Sequence, residues 1–349
     1  MTRRFLRAAA VGALLCGCSH LPSSIVQEPL VQPPPPPNDI PKVSPTFALD
    51  LINRRGLSGL TMEAFNAGTM LVRGEVISSM KSWHAELRLD VPAFLIRHPK
   101  QGLILFDTGL PRQAVRGRSL LLSLVDPARP QFEAQKGQDI VSQLSKDGIA
   151  ASDVRWVFLS SLDREHAGMA AFFENATIVV SRAEWEWQKA RRAKNRPSSL
   201  ALTVIEPRVK LVDIDESPAY GPFIHCRDFF EDGTFYLVDL AGKTAGTMGA
   251  LVMLDGGPAM LAGDASIVVG NYFDLALPLG SQVQDLGLFW RSLHVLRALR
   301  DAVPQAVIVP GHDLRSLALA NRADIPVFDF REKKAAAEDE SKPDLRREK

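Results

Sequence analysis

The sequence predicts an α/β fold in which two sheets lie face to face with helices on their outer surfaces, an αββα layering. Short apolar, β-branched runs bounded by turn residues recur along the chain. Helical periodicity falls between those runs rather than in a block of its own, and no repeat period organises the whole. Composition permits such a fold, with 46% of 349 residues hydrophobic. Lys+Arg number 41 against Asp+Glu 40, so no basic excess supports nucleic-acid binding.

The elements follow in order. Val91–Arg97 and Leu103–Phe106 flank Lys100-Gln101-Gly102 and read as a β-hairpin. Trp156–Leu159 and Thr177–Val180 read as buried strands, and Phe235–Val238 follows a turn at Asp232-Gly233. Ala250–Leu254 and Ala259–Leu261 form a second hairpin around Asp255-Gly256-Gly257-Pro258, and Val307–Val309 is the last strand. Gln138–Leu144 is a short helix ending near Gly148. Leu286, Phe289, Leu293, Leu296 and Leu299 recur at helical spacing, which predicts a helix over Asp285–Arg300.

The ends of the chain differ from the middle. Arg3, Arg4 and Arg7 precede an apolar run, Ala8–Leu15, that is too short for the roughly 20 residues a membrane span requires. Leu15-Cys16-Gly17-Cys18 follows and resembles a bacterial lipobox. The resemblance implies a signal peptide over 1–17, cleavage before Cys18 and lipidation of its sulfur. The protein would then be anchored in the bacterial cell envelope, on the periplasmic side or at the outer membrane. The other reading is an ordinary signal peptide with Cys18 a bystander. Residues 18–45, with Pro33–Pro37 unbroken, read as anchor and polyproline spacer. The domain is expected over 46–330, and 331–349 is a charged tail without apolar period. After cleavage Cys18 and Cys226 are the only cysteines left, so no structural disulfide is expected.

The chemistry-bearing residues come in an ordered set. Leu105-Phe106-Asp107-Thr108-Gly109-Leu110 is followed by Ser160-Ser161-Leu162-Asp163-Arg164-Glu165-His166-Ala167-Gly168, then Gly242-Lys243-Thr244-Ala245-Gly246, Gly263-Asp264-Ala265 and Pro310-Gly311-His312-Asp313. In order and interval this set resembles the metallo-β-lactamase superfamily, with the Ser181-Arg182-Ala183-Glu184-Trp185 segment and the first and last motifs most similar to its N-acyl-homoserine lactonases. The resemblance implies a hydrolase in which two divalent cations, bridged by an aspartate, activate water against an ester, lactone, thioester or amide carbonyl.

Carried over position by position, the resemblance is uneven. Ser161, Asp163 and Lys243 stand where the family places three histidines around the first metal. A protonated lysine has no lone pair to offer, and serine is a poor ligand. Glu165, His166 and His312, with Asp264 bridging, stand where the second metal is held, and all four are able ligands. The expectation is one divalent metal, Zn²⁺ first and Mn²⁺ or Fe²⁺ as alternatives, or no metal with the histidines satisfied by hydrogen bonds. Lys243 is expected to replace the missing cation by pairing with Asp163 and Asp264. Asp163, Asp264 and Lys243 are the catalytic candidates, Asp163 as the group that positions or deprotonates water.

Two departures bear on the substrate. Ile267 occupies the position of a lactonase tyrosine, and Tyr272 is only near it in sequence. Asp107 is read as fixing its turn through its own backbone. His84, His98, His225 and His294 match no ligand position and read as ordinary surface or boundary histidines. Phe172, Phe173, Trp185, Trp187 and Trp290 read as packing. Two functions of different classes fit: an envelope-anchored, single-metal hydrolase of a small ester or lactone, or a binding or scaffold lipoprotein that has lost the chemistry.

Overall fold

The computed structural model describes residues 32–54, 56–116, 126–193 and 202–328. The expected signal peptide, Cys18, residues 117–125 and the expected charged tail therefore lie outside the described residues. Among the described residues no helix is long and apolar enough to cross a membrane.

Two sheets carry the fold. The first contains β1 (Thr61–Arg73), β2 (Glu86–His98), β3 (Gly102–Phe106), β4 (Gln131–Glu133), β5 (Val154–Phe158), β6 (Thr177–Ser181) and β7 (Val209–Val212), and takes in β13 (Val327–Phe328) at one edge. Its order is β13-β1-β2-β3-β5-β6-β7, with β4 paired to β1. The second contains β8 (Cys226–Asp228), β9 (Phe235–Asp239), β10 (Met248–Leu254), β11 (Gly257–Gly263) and β12 (Val307–Pro310), in the order β12-β11-β10-β9-β8. The β2–β3 and β10–β11 hairpins are antiparallel, while β3, β5, β6 and β7 run parallel.

Side-chain alternation explains why the sheets stack. Because successive residues of a strand face opposite sides, Ile104, Phe106, Phe158 and Val179 point inward to meet Phe235, Leu237, Ala250, Val252, Leu261 and Val309 of the other sheet. The intervening residues Leu105, Val157, Ile178 and Val180 pack outward beneath helices. On the second sheet Tyr236, Val238, Leu251, Met253 and Met260 do the same. Each sheet thus buries both faces, which is why its strands read as near-continuous apolar runs.

Helices close the outer faces. α1 (Pro45–Asn53) is capped by Ser44, whose Oγ accepts from Phe47 N, and buries Phe47 and Leu51 on the second sheet. α2 (Ile140–Lys146) is capped by Asp139 and ends before Gly148, whose φ of +76° glycine adopts readily. α3 (Arg164–Ala167) is a single turn, and α4 (Arg182–Ala193) covers the first sheet. α5 (Val269–Asp274) leads to α6 (Leu286–Ala302), whose Asp285 cap accepts from Leu288 N at 2.9 Å. α6 buries Phe289, Leu293, Leu296 and Leu299 on the second sheet, the face its periodicity predicts. α7 (Arg315–Leu319) follows β12.

Several expectations need correcting in detail. The 13-residue β1 was not among the strands read from the sequence; it carries a bulge between Asn66 and Thr69. Part of the expected spacer lies on the domain: the Pro35 carbonyl accepts from Trp290 Nε1 at 3.3 Å, and Ile40 and Val43 pack beside α6. His98 is not a surface or boundary residue. It is 3% exposed, with Nε2 3.0 Å from Thr234 Oγ1 and 3.3 Å from Asp232 Oδ2. Its Nδ1 accepts the Lys100 and Gln101 N–H groups, so the ring pins the β2–β3 turn to the turn between β8 and β9. Burial, partly opposed by Asp232, lowers its pKa and favours the neutral ring. Phe172 is 43% exposed, with the Arg112 guanidinium over its ring, while Phe173 is core.

Phe158 is fully buried in the aromatic group of the inter-sheet core, with the rings of Trp156, Phe229, Phe230 and Phe235 all within 6.3 Å of it, centroid to centroid. Phe158→Ala should destabilise the domain by about 3–5 kcal/mol, measured by urea denaturation. A loss under about 1 kcal/mol would mean that the core refills the space.

Candidate metal centre

The chemistry-bearing residues converge because each follows the carboxyl end of a strand. Asp107 follows β3, the segment 160–166 follows β5, Lys243 follows β9, Asp264 follows β11 and His312 follows β12. The sheets also meet here, through Met248 N donating to the Ser160 carbonyl at 3.0 Å. Five loops therefore deliver their side chains to one rim of the sandwich.

Glu165, His166, Asp264 and His312 each present a ligand-type atom, and these four atoms lie within 4.8 Å of one another. His166, Asp264 and His312 are buried and Glu165 is half-buried. Asp264 Oδ1 lies 3.3 Å from His166 Nε2 and 3.2 Å from His312 Nε2. None of these three atoms makes an aligned hydrogen bond. Buried polar atoms almost always find partners, so three unpartnered atoms of metal-binding type facing one point fit a divalent cation. Gly311 keeps that point open, since a Cβ there would come 2.5 Å from Asp264 Oδ1.

The imidazoles are oriented from behind. His166 Nδ1 lies 2.8 Å from Asp107 Oδ2, and His312 Nδ1 donates to the Asp90 carbonyl at 2.7 Å. With both Nδ1 atoms engaged, both Nε2 atoms face the cluster, the arrangement that carboxylate–histidine–metal sites use. This corrects the reading of Asp107. Its carboxylate accepts from Ser160 N at 2.7 Å and Ser160 Oγ at 2.8 Å, besides holding His166, and does not close its own turn. To do so it adopts a φ of +59°, uncommon for a residue with a side chain. Thr108 completes the clamp, its Oγ1 donating to the His166 carbonyl at 2.9 Å.

Electrostatics agree with a cation-binding cluster. Burial alone would lower the pKa of His166, but Asp107 and Asp264 push it well above the usual imidazole range. Burial alone would raise Asp264, yet His312 and His166 hold it well below the usual carboxylate range. Glu165 is raised, first by burial and then by Asp163.

The first-metal positions look different. Ser161 is fully buried and its Oγ accepts the Asp163 N–H at 3.3 Å. Asp163 Oδ1 accepts from the Gln188 amide at 3.4 Å. Lys243 Nζ lies 3.7 Å from Asp264 Oδ2. Burial would lower the lysine pKa, but Asp264, Asp163 and Glu165 together raise it, so the side chain is a cation. This donor set does not suit a metal ion. Ile267 is buried in an apolar cluster with Val268 and Leu110, and Tyr272 packs with the α6 residues rather than beside Ile267.

Residue-by-residue reading missed Glu184. It is 1% exposed on α4, and its Oε1 accepts from Leu162 N at 3.0 Å and from Gln188 Nε2 at 3.3 Å. The available signal was Ser181-x-x-Glu184 at a helix start, where Ser181 Oγ does accept from Glu184 N. Instead of reaching back along its own helix, the glutamate braces the loop carrying Asp163. Gly246 permits the approach, because a Cβ there would sit 2.2 Å from Glu184 N. Among the other histidines His225 and His294 are half-buried and His84 is exposed, away from the cluster.

Burial, then Asp163, raises the pKa of Glu184. A carboxyl raised on folding binds its proton more tightly in the native state, so its contribution to stability fades as pH climbs from the ordinary glutamate range through the raised value. Glu184→Gln should flatten that decline while its amide oxygen still accepts from Leu162. Urea denaturation of both proteins at about pH 5 and about pH 8 checks this. An unchanged or steeper decline in the variant would count against a buried, proton-holding carboxyl.

The profile of the metallo-beta-lactamase superfamily matches residues 88–312. The N-acyl homoserine lactonase AttM of Azorhizobium caulinodans is 27% identical over 270 residues, covering 74% of this chain and 94% of the relative. AttM of Agrobacterium fabrum is 25% identical over 260 residues, with the same coverages of 74% and 94%. Among solved structures, a quorum-quenching N-acyl homoserine lactone hydrolase superposes with a TM-score of 0.60 at 21% identity, over 77% of this chain and 97% of its own. The dizinc quorum-quenching lactonase AidC superposes with a TM-score of 0.53 at 17% identity, over 75% and 89%. At those identities the structural matches bear on the fold alone.

Proposed function

This chain belongs to the metallo-beta-lactamase superfamily, and on that premise we propose that it is a metal-dependent hydrolase of a small ester or lactone, tethered to the bacterial cell envelope. The observation that carries the reading is the convergence of His166 Nε2, Asp264 Oδ1 and His312 Nε2, buried and unpartnered, with Glu165 beside them. The naming of its relatives as N-acyl homoserine lactonases supports the substrate class.

Glu165, His166, Asp264 and His312 would hold the metal, Zn²⁺ fitting two imidazoles and two carboxylates and Mn²⁺ or Fe²⁺ being the alternatives. A divalent cation there supplies Lewis acidity, acidifying water and polarising a carbonyl. The protein supplies the rest. Asp107 and the Asp90 carbonyl fix the two rings. Asp163, half-buried at the edge of the cluster, takes a proton from the attacking water and returns it to the leaving alkoxide. Hydrolysis then balances, with water oxygen on the acyl carbon and its proton on the alcohol. Ile267 offers no hydroxyl to the leaving oxygen, and in this reading Asp163 serves it instead.

The test is elemental analysis of the full chain in detergent beside His166→Ala/His312→Ala, with hydrolysis of a lactone and ester panel. Bound metal lost in the double variant, together with a fall in hydrolysis of more than about 100-fold, is the expected result. No metal in either protein after reconstitution with zinc would overturn it and favour a binding or scaffold role.

The envelope tether rests on Leu15-Cys16-Gly17-Cys18 and the proline-rich stretch behind it. Cys18→Ala should move the protein from the membrane fraction to the soluble or uncleaved pool, read by fractionation and by mass spectrometry of the amino terminus. A variant that fractionates and is processed like the wild type would remove the anchor.

A further inference from the structure

We propose that this centre takes a single metal ion and that the ammonium of Lys243 is its built-in second cation, so that Asp264 bridges a metal and a lysine. The inference rests on the metal-dependent reading above and specifies how that site is charged.

The two oxygens of Asp264 have different neighbours. Oδ1 faces the imidazoles of His166 and His312 at 3.3 and 3.2 Å and has no aligned hydrogen bond. Oδ2 faces Lys243 Nζ at 3.7 Å. One carboxylate thus turns one oxygen to a ligand cluster and the other to an ammonium. A metal on the lysine side would meet a positive charge without a lone pair and a serine already accepting the Asp163 N–H.

The ammonium is held in place by its backbone. Gly242 and Lys243 carbonyls accept from Gln284 N at 2.9 and 3.1 Å, and Gly242 also accepts from Asp285 N at 3.0 Å. Those donors lie at the capped start of α6, so the loop bearing Lys243 is fastened to the longest helix among the described residues. The side chain is 15% exposed. A lysine differs from a metal in what it offers there: donated hydrogen bonds and a single charge, with no coordination position.

The experiment measures zinc stoichiometry and affinity on the full chain in detergent, by elemental analysis and calorimetry. Wild type is compared with Lys243→Met and with Ser161→His/Asp163→His/Lys243→His. One zinc per wild-type chain and two per triple variant is the expected result. Lys243→Met should bind its one zinc about tenfold more tightly, because a neighbouring positive charge is gone. Two zinc ions in the wild type overturn the inference while leaving the metal-dependent reading intact. One zinc in both the wild type and a triple variant that is folded by circular dichroism does the same. If the triple variant does not fold, Lys243→Met decides, and unchanged or weaker binding overturns the inference. No zinc in the wild type overturns the metal-dependent reading, and this inference with it.

Discussion

The arrangement of this molecule is governed by the need to neutralise carboxylates gathered at one rim of the sandwich. Asp107, Glu184 and Asp264 are buried, and Asp163 and Glu165 are half-buried among them. A cluster of that kind repels itself unless cations or donated protons are built in. Each carboxylate meets a different answer: Asp107 takes the Ser160 donors and His166, Asp264 takes the imidazoles and Lys243, and Glu184 keeps its proton more readily than an exposed glutamate. The turns, the left-handed Asp107 and the close-packed glycines follow from bringing those answers within reach.

Much of this was legible in the sequence, for identifiable reasons. Strands buried on both faces, such as Trp156–Leu159 and Ala250–Leu254, announce themselves as apolar runs whatever their partners. The helix at 286–302 was visible because a long amphipathic face leaves many periodic positions. β1 was not, because the bulge between Asn66 and Thr69 interrupts its alternation. The site residues were legible as an ordered set, yet their partners were not. Asp107 to His166 spans 59 positions and Asp90 to His312 spans 222. No local pattern encodes a hydrogen bond between segments so far apart in sequence. His98 was misjudged for the same reason, since its Thr234 and Asp232 partners lie in the turn between β8 and β9, more than 130 positions away.

The family resemblance and the physical reading contribute differently. The shared fold accounts for why five strand ends meet at one rim, and for the identity of the residues expected there. It does not account for the difference between the Ser161, Asp163 and Lys243 positions and the Glu165, His166, Asp264 and His312 cluster. That difference follows from charge and lone pairs: a lysine compensates carboxylates as a metal does but coordinates nothing.

The fastening of the Lys243 loop to the start of α6 has a corollary for substitution. Histidine at 243 alone would strip Asp264 Oδ2 of its ammonium partner and leave a buried carboxylate less compensated. Histidines at 161 and 163 would add imidazoles while the ammonium stayed in place. Changes at these three positions are therefore tolerated in concert rather than singly, and the loop anchored on α6 holds the charge that couples them.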